Sequence, residues 1–398
     1  MKMIQEAYIV AATRSPIGKA PKGSLKYKRP DDLLAETLGH CLRQVPTLDP
    51  KAIEDMVVGC AIPEGPQGLN VARMGLLLAG MPNTIGGITV NRFCASGLSA
   101  IAMAADRIRV GAADLMVAAG VESMSMVPMM GSTPSLSPNI FTKDENLGIA
   151  YGMGLTAERV AQQWKISREA QDAFALASHQ KAAAAQKAGE FNQEISQISY
   201  EKRVINEAIG QVDVDVAYLL EDEGPRHDAS IEGLSKLKPV FANKGSVTAG
   251  NSSQMSDGCG ALILASEKAI KNFNLTPLAK FVSFSVRGVP PEIMGIGPKE
   301  AIPVALQYAG LKQDDLDWIE LNEAFAAQSL AVMQDLNLNP DKVNPLGGAI
   351  ALGHPLGATG AIRSATVIHA LQRRQLKYGM VTMCVGTGMG AAGIFERV

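Results

Sequence analysis

Three short stretches of this chain recur in the same order, almost one fixed distance further along. Leu48-Asp-Pro-Lys-Ala-Ile-Glu-Asp-Met-Val-Val58 parallels Leu311-Lys-Gln-Asp-Asp-Leu-Asp-Trp-Ile-Glu-Leu321, an offset of 263 residues. Ala95-Ser-Gly97 parallels Ala358-Thr-Gly360 at the same offset, and Met116-Val117 parallels Met380-Val381 at 264. Three weak matches in register argue for two copies of one structural unit. They cover roughly the first 120 and the last 130 residues of a 398-residue chain. Any fold proposed for the chain must therefore be built twice.

The unit reads as α/β. Short apolar runs alternate with Ala-rich helical stretches, the βαβ pattern of a parallel sheet covered by helices. Gly87-Ile-Thr-Val-Asn91 predicts a strand that runs into Cys94-Ala-Ser-Gly97. A helix follows, with Leu98, Ile101, Ala102, Ala105 and Ile108 on one face. Asp114 to Ala119 and Trp318 to Leu321 predict further strands.

Between the copies the character changes. Met124 to Ser137 reads as loop. Thr156 and Ser167 read as helix N-caps, with Glu158 and Glu169 in the first turns, and Lys187-Ala-Gly189 ends the second helix. Ser199 to Asp228 reads as polar and irregular, and apolar patterning resumes near Val247. The expected organisation is a core unit over 1–124 completed by 244–270, an inserted substrate-binding loop domain over 125–243, and a second core unit over 271–398. Loops inserted over a rigid sheet are where specificity tends to sit.

Composition removes several function classes. The net charge is −2, so no global field attracts nucleic acid or anionic lipid. No run of about 20 residues is apolar enough to span a membrane. The start, MKMIQEAYIV, carries Glu6 inside its apolar stretch and does not read as a signal peptide. Five scattered cysteines without a secretion signal read as free thiols in a reducing compartment, here expected to be the cytoplasm. No Cys-x-x-Cys or paired-histidine spacing suggests a metal site.

Four segments carry residues suited to chemistry. Cys94 opens a helix, where unpaired backbone N–H groups favour thiolate and can also hold an oxyanion. Position alone also fits a buried cysteine serving as a small hydrophobe. The run Gly347-Gly-Ala-Ile-Ala-Leu-Gly-His354-Pro-Leu-Gly-Ala-Thr-Gly360 holds one imidazole between glycine turns, suited to acid–base work or to nothing beyond a turn. Cys384 ends a strand and Gly386 follows in a tight turn, so a second thiol could shuttle a proton. Asn322, after the strand ending at Leu321, can hold a substrate oxygen or water, or cap the next helix. Cys41, Cys60 and Cys259 read as core; His40, His179, His227 and His369 read as surface or cap residues. Gly388-Met-Gly-Ala-Ala-Gly393 imitates a dinucleotide fingerprint, but only five residues follow it, so it is set aside.

Together these segments resemble the thiolase family over essentially the whole chain. The carriers are Val90-Asn-Arg-Phe-Cys-Ala-Ser-Gly97, Gly152-Met-Gly-Leu-Thr-Ala-Glu158, Val247-Thr-Ala-Gly-Asn251, Met294-Gly-Ile-Gly-Pro298, Asn322-Glu-Ala-Phe-Ala326, the Gly347–Gly360 run and the Cys384 turn. The resemblance implies duplicated βαβ core domains in a layered αβαβα arrangement with an inserted loop domain. It implies cleavage of 3-ketoacyl-CoA by CoA through an acyl-cysteine, with Cys94 as nucleophile, His354 as its base and Cys384 as the acid. Asn322 would hold a water at the enolate oxygen, and the N–H groups of Cys94 and Gly386 would hold the oxyanion. Arg226, Ser253 and Met153 would contact CoA. CoA is a substrate, and neither cofactor nor metal is implied. Members are mostly tetrameric, and some degradative ones join a multifunctional β-oxidation subunit. Gly152, where acetoacetyl-CoA-forming members often carry His, resembles the degradative branch. An acetyl-CoA acetyltransferase is the alternative within the family. A catalytically silent scaffold has no need of both thiols, and decarboxylating condensing enzymes of related fold use a single Cys.

Overall fold

The computed structural model describes residues 4–206 and 210–398. Residues 1–3 and 207–209, parts of the N-terminal segment and of the Ser199–Asp228 stretch read above, lie outside the described residues. The first copy contributes β1 (Tyr8–Arg14), β2 (Gly18–Lys19), α1 (Pro30–Arg43), β3 (Asp55–Gly59), α2 (Val71–Leu78), β4 (Ile88–Val90), α3 (Ser96–Arg109) and β5 (Leu115–Ser123). The chain then leaves the sheet for α4 (Met153–Gln163), α5 (Arg168–Lys187), the hairpin β6 (Ile198–Asn206) and β7 (Gln211–Leu219), and α6 (Ile231–Ser235). It returns as β8 (Ser256–Ala265) and α7 (Glu267–Phe273). The second copy adds β9 (Ala279–Gly288), α8 (Gly297–Ala309), β10 (Trp318–Leu321), α9 (Ala326–Leu336), α10 (Ala349–Leu352), α11 (Thr359–Arg373), β11 (Tyr378–Val385) and β12 (Met389–Arg397).

The repeat survives in three dimensions. The starts of β3 and β10, of α3 and α11, and of β5 and β11 are each 263 residues apart. The main sheet runs β10-β11-β12-β9-β1-β8-β5-β3-β4, so the copies meet where β1 pairs with β9. The expectation of a parallel sheet needs correction. Only β3–β4, β3–β5 and β10–β11 are parallel; β8 and β12 close each copy by returning antiparallel. An antiparallel return needs no crossover helix, and β11 reaches β12 through a tight turn.

Strand alternation builds the layers. Val57, Met116, Ala118 and Leu262 face the core that holds α3 and α11. Their neighbours Met56, Val58, Val117 and Ile263 face the other way, onto Leu33, Leu34 and Leu38 of α1. In the second copy Ile319, Leu321, Met380 and Ile394 pack on Ala301, Ile302 and Ala305 of α8. The result is helix, one half of the sheet, paired central helices, the other half of the sheet, helix. Each fully buried large aliphatic side chain contributes about 1.5–3 kcal/mol. The α3 face expected from periodicity is buried, and so are Ala100 and Ala104 on its other sides, because this helix lies between the two halves of the main sheet. The central helices start in backbone contact: a Cβ on Gly360 would lie 2.2 Å from the Leu98 nitrogen, and one on Gly97 would lie 2.7 Å from the Ala361 nitrogen.

Other local expectations fare unevenly. Ser167 caps α5 by accepting the Ala170 N–H, and α5 ends at Lys187. Helix α4, however, begins at Met153 with Gly152 as its cap; Thr156 lies inside it and donates to the Met153 carbonyl. Glu158 instead accepts the N–H groups of Ser246 and Val247. The stretch expected to be irregular carries the β6–β7 hairpin. Valines at 212, 214 and 216 alternate with aspartates, a period-two signal. Among the described residues no helix is long and apolar enough to cross a membrane.

Candidate active site

Cys94 sits in a 3-10 turn, Phe93–Ala95, immediately before α3. The turn is strained: Phe93 holds φ at +42°, a region that costs a bulky residue about 1–3 kcal/mol. Side chains hold it there. Asn91 Oδ1 accepts the Phe93 N–H at 2.8 Å. Ser96 Oγ accepts the Arg92 N–H at 2.8 Å and donates to the Phe93 carbonyl at 2.7 Å. The thiol is thereby fixed at the seam between the copies.

From the second copy, the Gly-rich run delivers His354. Its N–H donates to the Gln254 carbonyl and to Ser256 Oγ, both at 3.1 Å. Buried Glu323 steadies the run by accepting from Ile350 N–H, Ser178 Oγ and Asn344 Nδ2. His354 Nε2 lies 3.2 Å from Cys94 Sγ and 3.4 Å from Asn322 Nδ2. His354 Nδ1 lies 2.7 Å from Thr359 Oγ1. Asn322 is not a helix cap, since Phe325 holds that position for α9. Among the described residues its Oδ1 is buried without a partner.

Cys384, near the end of β11, shares an apolar cluster with Met153, Met294, Ala324 and Phe325. A Cβ on Gly386 would lie 3.6 Å from the Phe93 ring and 3.9 Å from Met153 Sδ. Met153 therefore borders the same space. Cys94, His354, Asn322, Cys384, Gly386 and Met153 form one group. Ser253, whose N–H donates to the Ala324 carbonyl, adjoins it through the backbone. Arg226 lies apart, exposed on the rim of a cavity of about 270 Å³ that also includes Gln254, Ile350 and His179. Gln254 links the two places: its side-chain amide donates to the Ile350 and Ala351 carbonyls while its backbone carbonyl accepts the His354 N–H.

Electrostatics departs from the sequence reading of a helix-stabilised thiolate. Burial pushes the Cys94 thiol up to about 12, although the N–H groups of Gly386 and Cys94 pull the other way. Burial, with Arg363 nearby, pulls His354 down to about 3. Burial and the Cys94 sulfur push the Cys384 thiol above its usual range. All three are uncharged at neutral pH, because desolvating an ion outweighs the helix terminus here. Such a group can pass a proton only as a bond forms.

His179 also differs from expectation. It is buried, accepts the Arg226 N–H at Nδ1, and is pulled down to about 4 by burial and by Arg226. His369 is half-buried against the Ala12 carbonyl. Cys41, Cys60 and Cys259 are core thiols as expected. Among the described residues no group of three His, Cys, Asp or Glu side chains is placed to hold a metal ion. Sequence reasoning passed over Thr359, Gln254 and Glu323; Thr359, five residues past His354, and Glu323, next to Asn322, lay inside segments already singled out, and Gln254 did not.

Comparison with known proteins identifies the family. Residues 7–268 match the thiolase N-terminal domain and residues 275–397 the thiolase C-terminal domain. The 3-ketoacyl-CoA thiolase of Bacillus subtilis (strain 168) is 48% identical over 99% of this chain and 100% of its own length. A peroxisomal 3-ketoacyl-CoA thiolase A of Rattus norvegicus is 46% identical, covering 98% of this chain and 88% of that one. Among solved structures, Bacillus anthracis acetyl-CoA acetyltransferase superposes with a TM-score of 0.89 at 38% identity over the full length of both chains. Human mitochondrial 3-ketoacyl-CoA thiolase gives 0.88 at 37% identity over 99% of each. With its duplicated core, its two thiols and both halves matched, the chain belongs to the thiolase family.

Proposed function

We propose that the protein cleaves 3-ketoacyl-CoA with CoA, releasing acetyl-CoA and an acyl-CoA two carbons shorter, as in fatty-acid β-oxidation. The observation that carries this reading is the Cys94 thiol 3.2 Å from His354 Nε2, with a second thiol beside it. Cys94 passes its proton to His354 Nε2 as sulfur attacks C3 of the substrate. The N–H groups of Cys94 and Gly386, already directed at that sulfur, hold the oxyanion. The C2–C3 bond breaks, and its electron pair becomes the acetyl-CoA enolate. His354 and a water on the free Asn322 Oδ1 steady the enolate oxygen. Cys384 donates its proton to C2, and acetyl-CoA departs. Incoming CoA gives its thiol proton to Cys384 and takes the acyl group from Cys94, which recovers its own proton from His354. No step calls for a metal or a bound cofactor; CoA is consumed. The same steps reversed condense two acyl-CoA molecules.

Met153, Ser253 and Arg226 are assigned to the acyl-CoA path: Met153 at the reacting carbons, Arg226 at the outer cavity. A homo-oligomer suits the edge position of β4 among the described strands, where Ile88 and neighbouring Leu77 and Leu78 are exposed, and the family resemblance makes it a tetramer. Light scattering tests it. The cytoplasm suits five free thiols, although several relatives are named peroxisomal; cell fractionation decides.

One observation favours a second reading, acetyl-CoA acetyltransferase: the likeness to the Bacillus anthracis enzyme. Thiolysis rates with acetoacetyl-CoA and with medium- and long-chain 3-ketoacyl-CoA separate the two. Substantial turnover of the longer substrates is expected. A preference confined to acetoacetyl-CoA establishes the second reading, and inactivity on every chain length sinks both.

A further inference from the structure

We infer that Thr359 is the positioning residue that accepts the Nδ1–H of His354 and so holds the ring in its reactive tautomer, and that it repeats a job done by Ser96 in the first copy. The inference rests on Cys94 and His354 being the reacting pair.

The Cys94 thiol keeps its proton at rest, and its sulfur is 3.2 Å from His354 Nε2. Asn322 Nδ2 approaches the same nitrogen at 3.4 Å. Both are donors, so Nε2 must offer a lone pair. The ring proton then sits on Nδ1, whose partner is Thr359 Oγ1 at 2.7 Å, with both residues buried. Which ring nitrogen carries the proton is decided by the hydrogen bond at the other one. Here that acceptor is a hydroxyl. A carboxylate in its place would stabilise imidazolium and retain the proton taken from Cys94. The hydroxyl orients the ring while leaving the proton available for the enolate oxygen and for the departing sulfur.

The duplication strengthens the assignment. Thr359 and Ser96 are the first residues of the two central helices, 263 positions apart. Ser96 Oγ bonds backwards to the Arg92 N–H and the Phe93 carbonyl and so fixes the turn that bears the nucleophile. Thr359 Oγ1 bonds backwards to the base. One hydroxyl at the head of each central helix secures the reactive group that precedes it.

Thr359→Val removes the hydroxyl at nearly constant volume. Loss of an oriented base costs about 10²-fold, and it is expected in kcat with KM little changed. Alkylation of Cys94 by iodoacetamide, which needs no substrate, should slow about tenfold or more, because it draws on the same base. Thr359→Ser should restore both. In protein labelled with ¹⁵N-histidine, the His354 signals should show Nδ1 protonated and Nε2 bare. Wild-type alkylation in a folded Thr359→Val variant overturns the inference, as does a serine variant no better than valine. Protonated Nε2 in the wild type also overturns it, and that measurement stands even if valine prevents folding. A protein that behaves as stated in alkylation and NMR but cleaves no 3-ketoacyl-CoA refutes the functional reading and leaves the tautomer assignment intact.

Discussion

In the first copy β3 ends at Gly59, where a Cβ would lie 2.2 Å from the Ser96 carbonyl carbon. At the matching place in the second copy, 263 residues on, stands Asn322 beside the imidazole. The relation inverts at the helix entrance. The first copy carries Cys94, while its counterpart Gly357 is closed in, with a Cβ only 2.5 Å from the Ala61 nitrogen. Val121 is likewise the counterpart of Cys384. Each copy opens where the other is sealed. Two corresponding frameworks thus give one site with non-identical walls, the nucleophile on one side and the base, amide and second thiol on the other.

Substitutions that blur this division should matter in proportion to what they remove. Cys94→Ala empties the first copy's contribution. Thiolysis should fall by about 10⁴-fold or more, with no labelled acyl group retained on the protein; stable acylation would locate the nucleophile elsewhere. Cys384→Ala gives the second copy a small apolar residue, as Val121 is in the first. Turnover should drop about 10²–10⁴-fold. Acylation from a simple acyl-CoA should persist while proton exchange at C2 of acetyl-CoA disappears, and unimpaired exchange would remove Cys384 from its role. Asn322→Gly imports the sealed copy's residue and should cost about 10²-fold in kcat, with C2–C3 cleavage affected most and transfer of the acyl group from Cys94 to CoA affected least.

Two smaller effects concern the framework. Gly360→Ala drives a methyl into the Leu98 backbone, which should cost about 1–3 kcal/mol in denaturant melts; an unchanged midpoint would show that the central helices can part freely. The last effect is pH-linked. The unfolded chain protonates His354 near 6.5, whereas the folded ring, pulled down by burial, resists until about 3. Stability attributable to this residue is complete above 6.5 and drains away as pH falls toward 3, by about 1.4 kcal/mol per pH unit for one proton. His179 contributes in the same direction and stays in both proteins. The difference between wild type and His354→Asn should therefore shrink on acidification, and a constant difference would mean the ring is already charged.

Much of this was legible in the linear chain because it is local or periodic. The repeat offset fixed which strands and helices correspond. The strand over 318–321 and the α3 face emerged from apolar spacing alone. The thiols and imidazole were singled out by their turns. What escaped depends on depth. Nothing near Cys94 in sequence reveals that both halves of the sheet enclose it, so the local helix terminus suggested a thiolate that burial forbids. His179 reads as polar because its neighbours in sequence are polar, while its neighbours in space include the Arg226 backbone. Antiparallel closure by β8 was hidden because some 130 residues separate that strand from β5. The β6–β7 hairpin was a different kind of miss, since its alternation was visible and its charge distracted from it.

The glycine contact that brings α3 against α11 has a consequence for how the molecule fails. Reactive sulfur and imidazole belong to separate copies, so an ångström of slippage at that contact ends turnover while every helix and strand is still formed. Enzyme assays followed through mild denaturation should vanish ahead of circular dichroism. A tandem in which either member could once have been spare is, in this protein, indivisible.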